Sequence, residues 1–122
     1  MIQGIGTDLV EIARLKEACL KHADFPERVL TESELKLLKK RKTKKGQLEF
    51  LAGRWAAKEA FTKATGTGIG LKVGFHDIEI LSDEKDRPYI CTDLWEGAAF
   101  VSITHTAAYA AAFVILEDQK NP

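Results

Sequence analysis

The sequence lacks the features of secreted, membrane-spanning and thiolate-metal proteins. It has only two cysteines, Cys19 and Cys91, and their separation fits neither a zinc site nor a disulfide framework. No apolar run approaches the roughly 20 residues that are needed to cross a bilayer. The start at Met1 has neither the basic segment nor the long apolar stretch of a signal peptide. We therefore expect a reduced, cytoplasmic protein.

The formal net charge of the chain is zero. Eighteen lysines and arginines balance 18 aspartates and glutamates, so no overall field draws the chain toward nucleic acid or membrane. There are only three prolines, and no repeat or linker-like stretch interrupts the 122 residues. With a hydrophobic content of 45%, the composition predicts a single domain over residues 1–122 with a modest core.

The hydrophobic periodicity predicts an α+β protein in which helices pack on a small antiparallel sheet. The predicted elements are a strand at 2–8, a helix at 9–21, two short helices within 24–41, a long helix at 46–64, strands at 77–81 and 88–92, and a hairpin that joins 100–104 to 108–116. The last strand is apolar on both faces. A short chain can cover both faces only with helices on each side or with another subunit, and we expect an oligomer.

Glu59 stands out because it lies within the apolar stripe of the long helix. That stripe recurs at three- and four-residue steps and consists of Leu48, Leu51, Ala52, Trp55, Ala56 and Ala60. A carboxylate removed from water costs several kcal/mol unless a positive charge compensates it. The alternative is an exposed Glu59–Lys63 pair worth only about 0.3–0.5 kcal/mol. On the helix alone, the exposed pair is the favoured interpretation.

Asp8 and His105 each have an ordinary explanation as well. Asp8 shares a strand face with Gly4 and Gly6, which leaves space beside its carboxylate, but it also precedes a predicted helix and is favoured as its N-cap, with Glu11 as capping partner. His105 lies at the predicted hairpin turn, where a histidine is usually a plain exposed residue. The remaining histidines, His22 and His76, have no polar cluster beside them and are predicted to be surface residues.

Two segments resemble binding motifs only superficially. The glycine-rich stretch 65–70 follows a helix, whereas phosphate-binding loops precede one, so a helix C-cap is the safer interpretation. The basic run 36–45 is the best argument for a nucleic-acid-binding module, but neutral net charge and the absence of interleaved aromatics oppose it. We predict a solvated helix end there, with recognition of one phosphate group as the functional alternative.

No serine or cysteine is framed by a recognisable nucleophile motif. What remains is two carboxylates, a lysine and a histidine, dispersed along the chain. This set suits an oxygen-ligated divalent cation and a proton acceptor, as phosphoryl chemistry on a bound diphosphate requires.

Three segments together resemble the holo-[acyl-carrier-protein] synthase family, the small bacterial type of 4′-phosphopantetheinyl transferase. They are GIGTDLVEI at 4–12, RWAAKEAFTK at 54–63 with its glycine tail, and VSITHT at 101–106. The likeness covers nearly the whole chain in order and spacing, and the W-x-x-K-E-x-x-x-K block is its specific part.

The resemblance implies a reaction and roles for four residues. Asp8 and Glu59 would bind Mg²⁺, with Mn²⁺ as the alternative metal, together with the diphosphate of coenzyme A. Lys63 would stabilise charge on the phosphates. His105, directly or through a water, would take the proton from a serine of apo-acyl carrier protein, a role typically worth about 10²–10⁴ in rate. The serine would receive 4′-phosphopantetheine, and adenosine 3′,5′-bisphosphate would leave.

The resemblance also implies partners. The expected coenzyme contacts are Arg54, Lys63, Gly66, Thr67, Ser102 and His105. The expected carrier-protein contacts are Arg14, Phe25 and Arg28. The resemblance further implies a homotrimer with its sites at subunit interfaces and a role in fatty acid biosynthesis. The alternatives are a transferase that acts on a different carrier domain and a nucleic-acid-binding module that uses the basic run 36–45.

Overall fold

The α+β class predicted from periodicity is confirmed. A computed structural model describes residues 1–70 and 73–119. In chain order its elements are β1 (Ile2–Glu11), α1 (Ile12–Lys21), α2 (Phe25–Val29), α3 (Glu32–Lys39), α4 (Lys44–Thr65), a single 3₁₀ turn (Phe75–Asp77), β2 (Glu79–Ser82), β3 (Pro88–Cys91), β4 (Ala99–His105) and β5 (Tyr109–Glu117). Within the described ranges, no helix is both long and apolar enough to span a membrane.

The first strand is longer than predicted, and this corrects the expected role of Asp8. β1 pairs antiparallel with β5 as far as Glu11, which lies opposite Tyr109, so α1 begins only at Ile12. Asp8 is therefore within the strand, paired with Ala112, and it is not a helix N-cap. The long apolar β5 provides backbone partners that extend the strand, and this pairing prevails over the local capping signal.

α4 is the central element, and it is buried on more sides than its predicted stripe suggested. Thr43 caps its N-terminus by accepting a hydrogen bond from Gly46 N, and Gly66 ends it in the left-handed conformation at φ 83°. β1 packs directly on this helix. The two elements lie so close that a Cβ atom at Gly6 would overlap the carbonyl oxygen of Ala60. This close approach brings the inward face of β1 against the C-terminal half of α4.

The segment between α1 and α4 forms the two predicted short helices. A capping box begins α3: Thr31 accepts a hydrogen bond from Glu34 N, and the Glu34 side chain accepts one from Thr31 N. Glu34 is fully buried. The cap is therefore also part of the interior.

The strands form a three-stranded antiparallel sheet in the order β1-β5-β4 and a separate β2-β3 hairpin. One face of the larger sheet packs on α4. Its other face carries large apolar side chains that are 45% to 66% exposed, namely Ile5, Leu9, Phe100, Tyr109 and Phe113. Among the described elements none covers this face, which we call the bare sheet face. A contiguous apolar surface of this kind marks an interaction site.

Candidate active site

The structure brings Asp8 and the C-terminal half of α4 together. Asp8 lies on the β1 face that packs on α4, two residues beyond Gly6, and its side chain is only 11% exposed. The ammonium group of Lys63 donates to Asp8 Oδ1 at 2.9 Å from the outer side of this contact, with the lysine 55% exposed. The exposed Glu59–Lys63 pair, favoured from the helix alone, is therefore wrong, because Glu59 is partly buried and Lys63 pairs with Asp8.

One oxygen of this site has no partner. Asp8 Oδ2 is buried, and within residues 1–70 and 73–119 no group donates a hydrogen bond to it. Leaving a buried acceptor unsatisfied typically costs about 1–3 kcal/mol, and more when the group is charged. A cation bound between the carboxylates would satisfy this oxygen.

Glu59 faces the same space. Its pKa is raised above the ordinary value, first by partial burial and then by the negative charge of Asp8, while the positive charge of Lys63 lowers it. Partial burial thus confirms that Glu59 is not an ordinary surface residue. Two carboxylates that repel each other in a half-buried site favour a bound divalent cation.

The donor set fits magnesium better than a cation that requires a complete protein cage. In the described part of the chain, no group of three or more histidine, cysteine, aspartate and glutamate side chains is arranged to hold a metal. Mg²⁺ is commonly bound by one or two carboxylates, with substrate phosphates and waters completing the coordination. Asp8 and Glu59 match that requirement.

His105 lies in a different pocket. It is the last residue of β4, not a turn residue, and its Nε2 is 3.5 Å from Glu49 Oε2. The pocket has a volume of about 130 Å³ and is lined by Arg41, Gly46, Glu49, Phe50, Gly53, Arg54, Ile103 and His105. The guanidinium groups of Arg41 and Arg54 lie 5.3 Å and 4.3 Å from the Phe50 ring centroid. Two arginines beside one small cavity favour an anionic group.

Arg54 also holds the interior together. It donates from Nε to Ile80 O at 3.1 Å and from Nη2 to Ser82 Oγ at 3.0 Å, which ties α4 to β2. Burial lowers the pKa of Arg54 to about 10, with the negative charge of Glu34 acting in the opposite direction. The guanidinium therefore remains charged at neutral pH.

The other predicted coenzyme contacts lie apart from this pocket. Ser102 pairs with Phe113 and belongs to the bare sheet face, opposite the face that carries His105. Gly66 and Thr67 follow the C-terminus of α4, where the Thr67 hydroxyl lies 2.8 Å from that of Thr65. In the described residues, no hydrogen bond or ion pair joins His105 to the acidic pair. One chain thus carries the parts of the predicted site at separate places.

The predicted carrier contacts lie on the first two helices. Arg14 is exposed on α1, Phe25 is half-buried at the start of α2, and Arg28 is exposed and pairs with Asp24 at 2.9 Å. His22 and His76 are exposed as predicted, although His76 Nε2 lies 2.7 Å from Glu27 O. The basic side chains of the run 36–45 are also exposed.

Sequence reasoning missed a buried ion pair between Lys58 and Glu34. Both side chains are 0% exposed, and Lys58 Nζ lies 2.6 Å from Glu34 Oε1. A signal was available: Arg54 and Lys58 are four residues apart, and Leu51 and Phe61 flank them on the same side of the helix. Two cations within a second apolar stripe indicate buried, partnered charges.

Comparisons with known proteins define the class to which this fold belongs. The sequence model of the 4′-phosphopantetheinyl transferase superfamily matches residues 4–114. A holo-[acyl-carrier-protein] synthase from Streptococcus agalactiae is 56% identical over 98% of this chain and 100% of its own length. One from Bacillus subtilis is 52% identical over 96% of this chain and 97% of its own length.

Solved structures agree. A holo-(acyl-carrier-protein) synthase from Bacillus anthracis in complex with CoA (3′,5′-ADP) is 44% identical, with a TM-score of 0.89 over 98% of this chain and 99% of that one. The Helicobacter pylori synthase in complex with coenzyme A is 33% identical, with a TM-score of 0.81 over 93% and 99% of the two chains. The chain belongs to the holo-[acyl-carrier-protein] synthase family of the 4′-phosphopantetheinyl transferase superfamily.

Proposed function

We infer that this protein transfers the 4′-phosphopantetheine group of coenzyme A to a serine of apo-acyl carrier protein, in the cytoplasm and in support of fatty acid biosynthesis. The products are holo-acyl carrier protein and adenosine 3′,5′-bisphosphate. The observation that carries this proposal is the unsatisfied, buried Asp8 oxygen beside the half-buried Glu59. Membership of the synthase family supports it.

Asp8 and Glu59 are proposed to hold Mg²⁺, with Mn²⁺ as the alternative. When bound, the cation supplies positive charge to the diphosphate of coenzyme A and to the departing phosphate. Lys63 already lies 2.9 Å from Asp8 and is 55% exposed, so its ammonium can turn toward a phosphate oxygen. Positioning and electrostatics of this kind account for most of the catalysis in phosphoryl transfer.

His105 is proposed to receive the proton of the carrier serine, directly or through a water. The serine oxygen forms a bond to the phosphorus that bears pantetheine, and the bond from that phosphorus to the bridging diphosphate oxygen breaks. The electron pair of the broken bond leaves with adenosine 3′,5′-bisphosphate. Glu49, whose Oε2 lies 3.5 Å from His105 Nε2, would orient the imidazole ring.

The coenzyme is proposed to contact both the basic pocket and the end of α4. Arg41 and Arg54 offer positive charge to a phosphate group, beside His105. Gly66 and Thr67 extend the contact beyond Lys63, and Ser102 adds a hydroxyl from β4. Arg14, Phe25 and Arg28 are proposed to meet the acyl carrier protein.

A homotrimer with sites at subunit interfaces would bring these separated parts together. The bare sheet face offers apolar side chains such as Phe113 and Phe100 to a second copy, and Ser102 lies on the same face. His105 and the acidic pair, which no hydrogen bond or ion pair joins within one chain's described residues, would then complete each other's site across an interface.

The function is tested by incubating apo-acyl carrier protein with coenzyme A and the purified protein, with and without Mg²⁺, and measuring the carrier's mass. We expect a mass gain of one phosphopantetheine group that requires the metal. No mass gain with a folded protein, carrier, coenzyme and metal all present would contradict the proposal. A carrier domain from a peptide synthetase, tested in parallel, distinguishes the alternative substrate.

A further inference from the structure

All three N–H donors of Lys58, the buried lysine of α4, are used in hydrogen bonds. Lys58 Nζ donates to Val29 O at 2.6 Å, to Glu34 Oε1 at 2.6 Å and to Phe75 O at 3.0 Å. A lysine ammonium has three donors, and here each has an acceptor. The three acceptors belong to three segments: the last residue of α2, the first turn of α3 and the 3₁₀ turn after α4.

Both carboxylate oxygens of Glu34 also have hydrogen-bond donors. Besides Lys58, its Oε1 accepts from Thr31 N at 2.8 Å, and its Oε2 accepts from Ile80 N at 2.7 Å. Replacing a buried ion pair by apolar side chains of similar volume is often neutral or stabilising, so stability alone is a weak reason for such a pair. Directional hydrogen bonds from one ammonium to three segments also restrict how those segments lie relative to one another.

The positions that Lys58 joins matter for the reaction. Its neighbour in the helix is Glu59, and its acceptor Val29 directly follows Arg28. Its third acceptor, Phe75, places its ring 6.4 Å from that of Trp55, which lies one helical turn before Glu59. Phe25 packs against the same cluster as Trp55 and Phe75. One ammonium therefore connects the backbone beside the carrier-contact residues to α4, the helix that carries Glu59.

We propose that Lys58 is a positioning residue that sets the carrier-docking corner, Phe25 to Arg28, relative to Glu59 and Asp8. The inference rests on the proposed function, because it assigns Phe25 and Arg28 to the carrier protein. Lys58 touches neither substrate. It acts by fixing where the carrier is held while its serine approaches the coenzyme phosphate, a geometry to which transfer rates are sensitive.

The test is a KM-against-kcat comparison with Lys58→Met, whose unbranched side chain is one atom shorter and lacks all three donors. Carrier and coenzyme A are varied independently. We expect the KM for the carrier to rise by about tenfold, the equivalent of about 1.4 kcal/mol, while the KM for coenzyme A stays near the wild-type value. Equal changes in both KM values, or an unchanged carrier KM, would overturn the proposal.

Thr31→Val is the matched control for general destabilisation. It weakens the α3 N-cap and removes the hydroxyl contact to Glu79, but every bond of Lys58 remains. We expect its carrier KM to stay at the wild-type value. A rise equal to that of Lys58→Met would assign the effect to loosened packing and overturn the positioning role.

A double-mutant cycle with Arg28→Ala makes the test specific. If Lys58 acts by placing Arg28, the two substitutions together raise the carrier KM by less than the product of their separate effects. Multiplicative effects would contradict the inference. Should Lys58→Met fail to fold, Glu34→Gln replaces it, because the amide retains the shape and removes the charge that holds the ammonium.

Failure of this inference and failure of the proposed function give different results. A wild-type protein that transfers no phosphopantetheine removes the function. A wild-type protein that is active, with a carrier KM unaffected by Lys58→Met, removes the positioning role alone.

Discussion

Two adjacent residues of α4, Lys58 and Glu59, present opposite solutions for a charge inside a protein. Lys58 and its partner Glu34 are fully buried, and every donor of the ammonium is used. Glu59 is half-buried next to Asp8, whose Oδ2 has no hydrogen-bond partner among the described residues. The first cluster is complete within the chain. The second leaves an oxygen without a partner, and we propose that this difference separates a structural charge from a catalytic one.

The comparison is tested most strongly by Glu59→Gln. The amide retains the shape of the side chain and removes the charge proposed to hold the cation, so we expect phosphopantetheine transfer to fall by about 10³-fold or more. Mass spectrometry of the carrier measures the loss. Circular dichroism should show an intact fold, and a variant with near wild-type activity would remove the metal-binding role of Glu59.

Lys58→Met should mainly lower stability, whereas Glu59→Gln should mainly lower activity. The lysine substitution leaves the Glu34 carboxylate buried without its cation, which we expect to cost about 3–5 kcal/mol of unfolding free energy. Denaturant unfolding measures this loss, with Glu59→Gln as the matched variant at the next position. Equal destabilisation by the two substitutions would contradict the distinction between a complete and an incomplete cluster.

Arg14→Glu examines a charge outside both clusters. Because Arg14 is proposed to meet the carrier, reversal of this exposed charge should weaken use of the carrier by about tenfold in KM. Binding of adenosine 3′,5′-bisphosphate, measured by calorimetry, should not change. Equal loss of both would place Arg14 away from the carrier surface.

The smallest expected effect is on the pH dependence of metal-free stability. The pKa of Glu59 is raised in the folded state by burial and by Asp8, so its favourable contribution is complete below the ordinary value of 4.5 and is lost as pH rises through the raised value. The free energy of unfolding, measured at several pH values, should therefore rise for Glu59→Gln relative to the wild type as pH rises. If the difference in unfolding free energy between the two proteins did not change with pH, a raised pKa of Glu59 in the metal-free protein would be contradicted.

Much of the fold could be predicted from local patterns, because those patterns coincide with the tertiary contacts. The stripe through Leu51 and Trp55, the Thr31–Glu34 capping box and the glycine after Thr65 each indicate an element that the structure contains. The limits of β1 could not be predicted in this way. The capping signal at Asp8 is local, whereas the pairing of Glu11 with Tyr109 depends on a strand nearly 100 residues away.

In the candidate site and its surroundings, too, some features could be predicted from local sequence patterns and others could not. Glu59 is conspicuous because it breaks an apolar stripe, and that signal requires only helical geometry. Two partners of Glu34, Lys58 and Ile80, cannot be predicted from spacing, because they come from segments that only the folded chain brings together. The same holds for the pocket where His105 meets Arg54, since β4 and α4 are far apart in sequence.

The most direct test of the central claim is a crystal structure with coenzyme A and Mn²⁺, in which anomalous scattering locates the metal. We expect a single strong peak about 2.0–2.3 Å from an oxygen of Asp8 and an oxygen of Glu59, with a diphosphate oxygen as a further ligand. A metal bound elsewhere, or coenzyme bound with Asp8 and Glu59 directed into separate regions, would contradict the account.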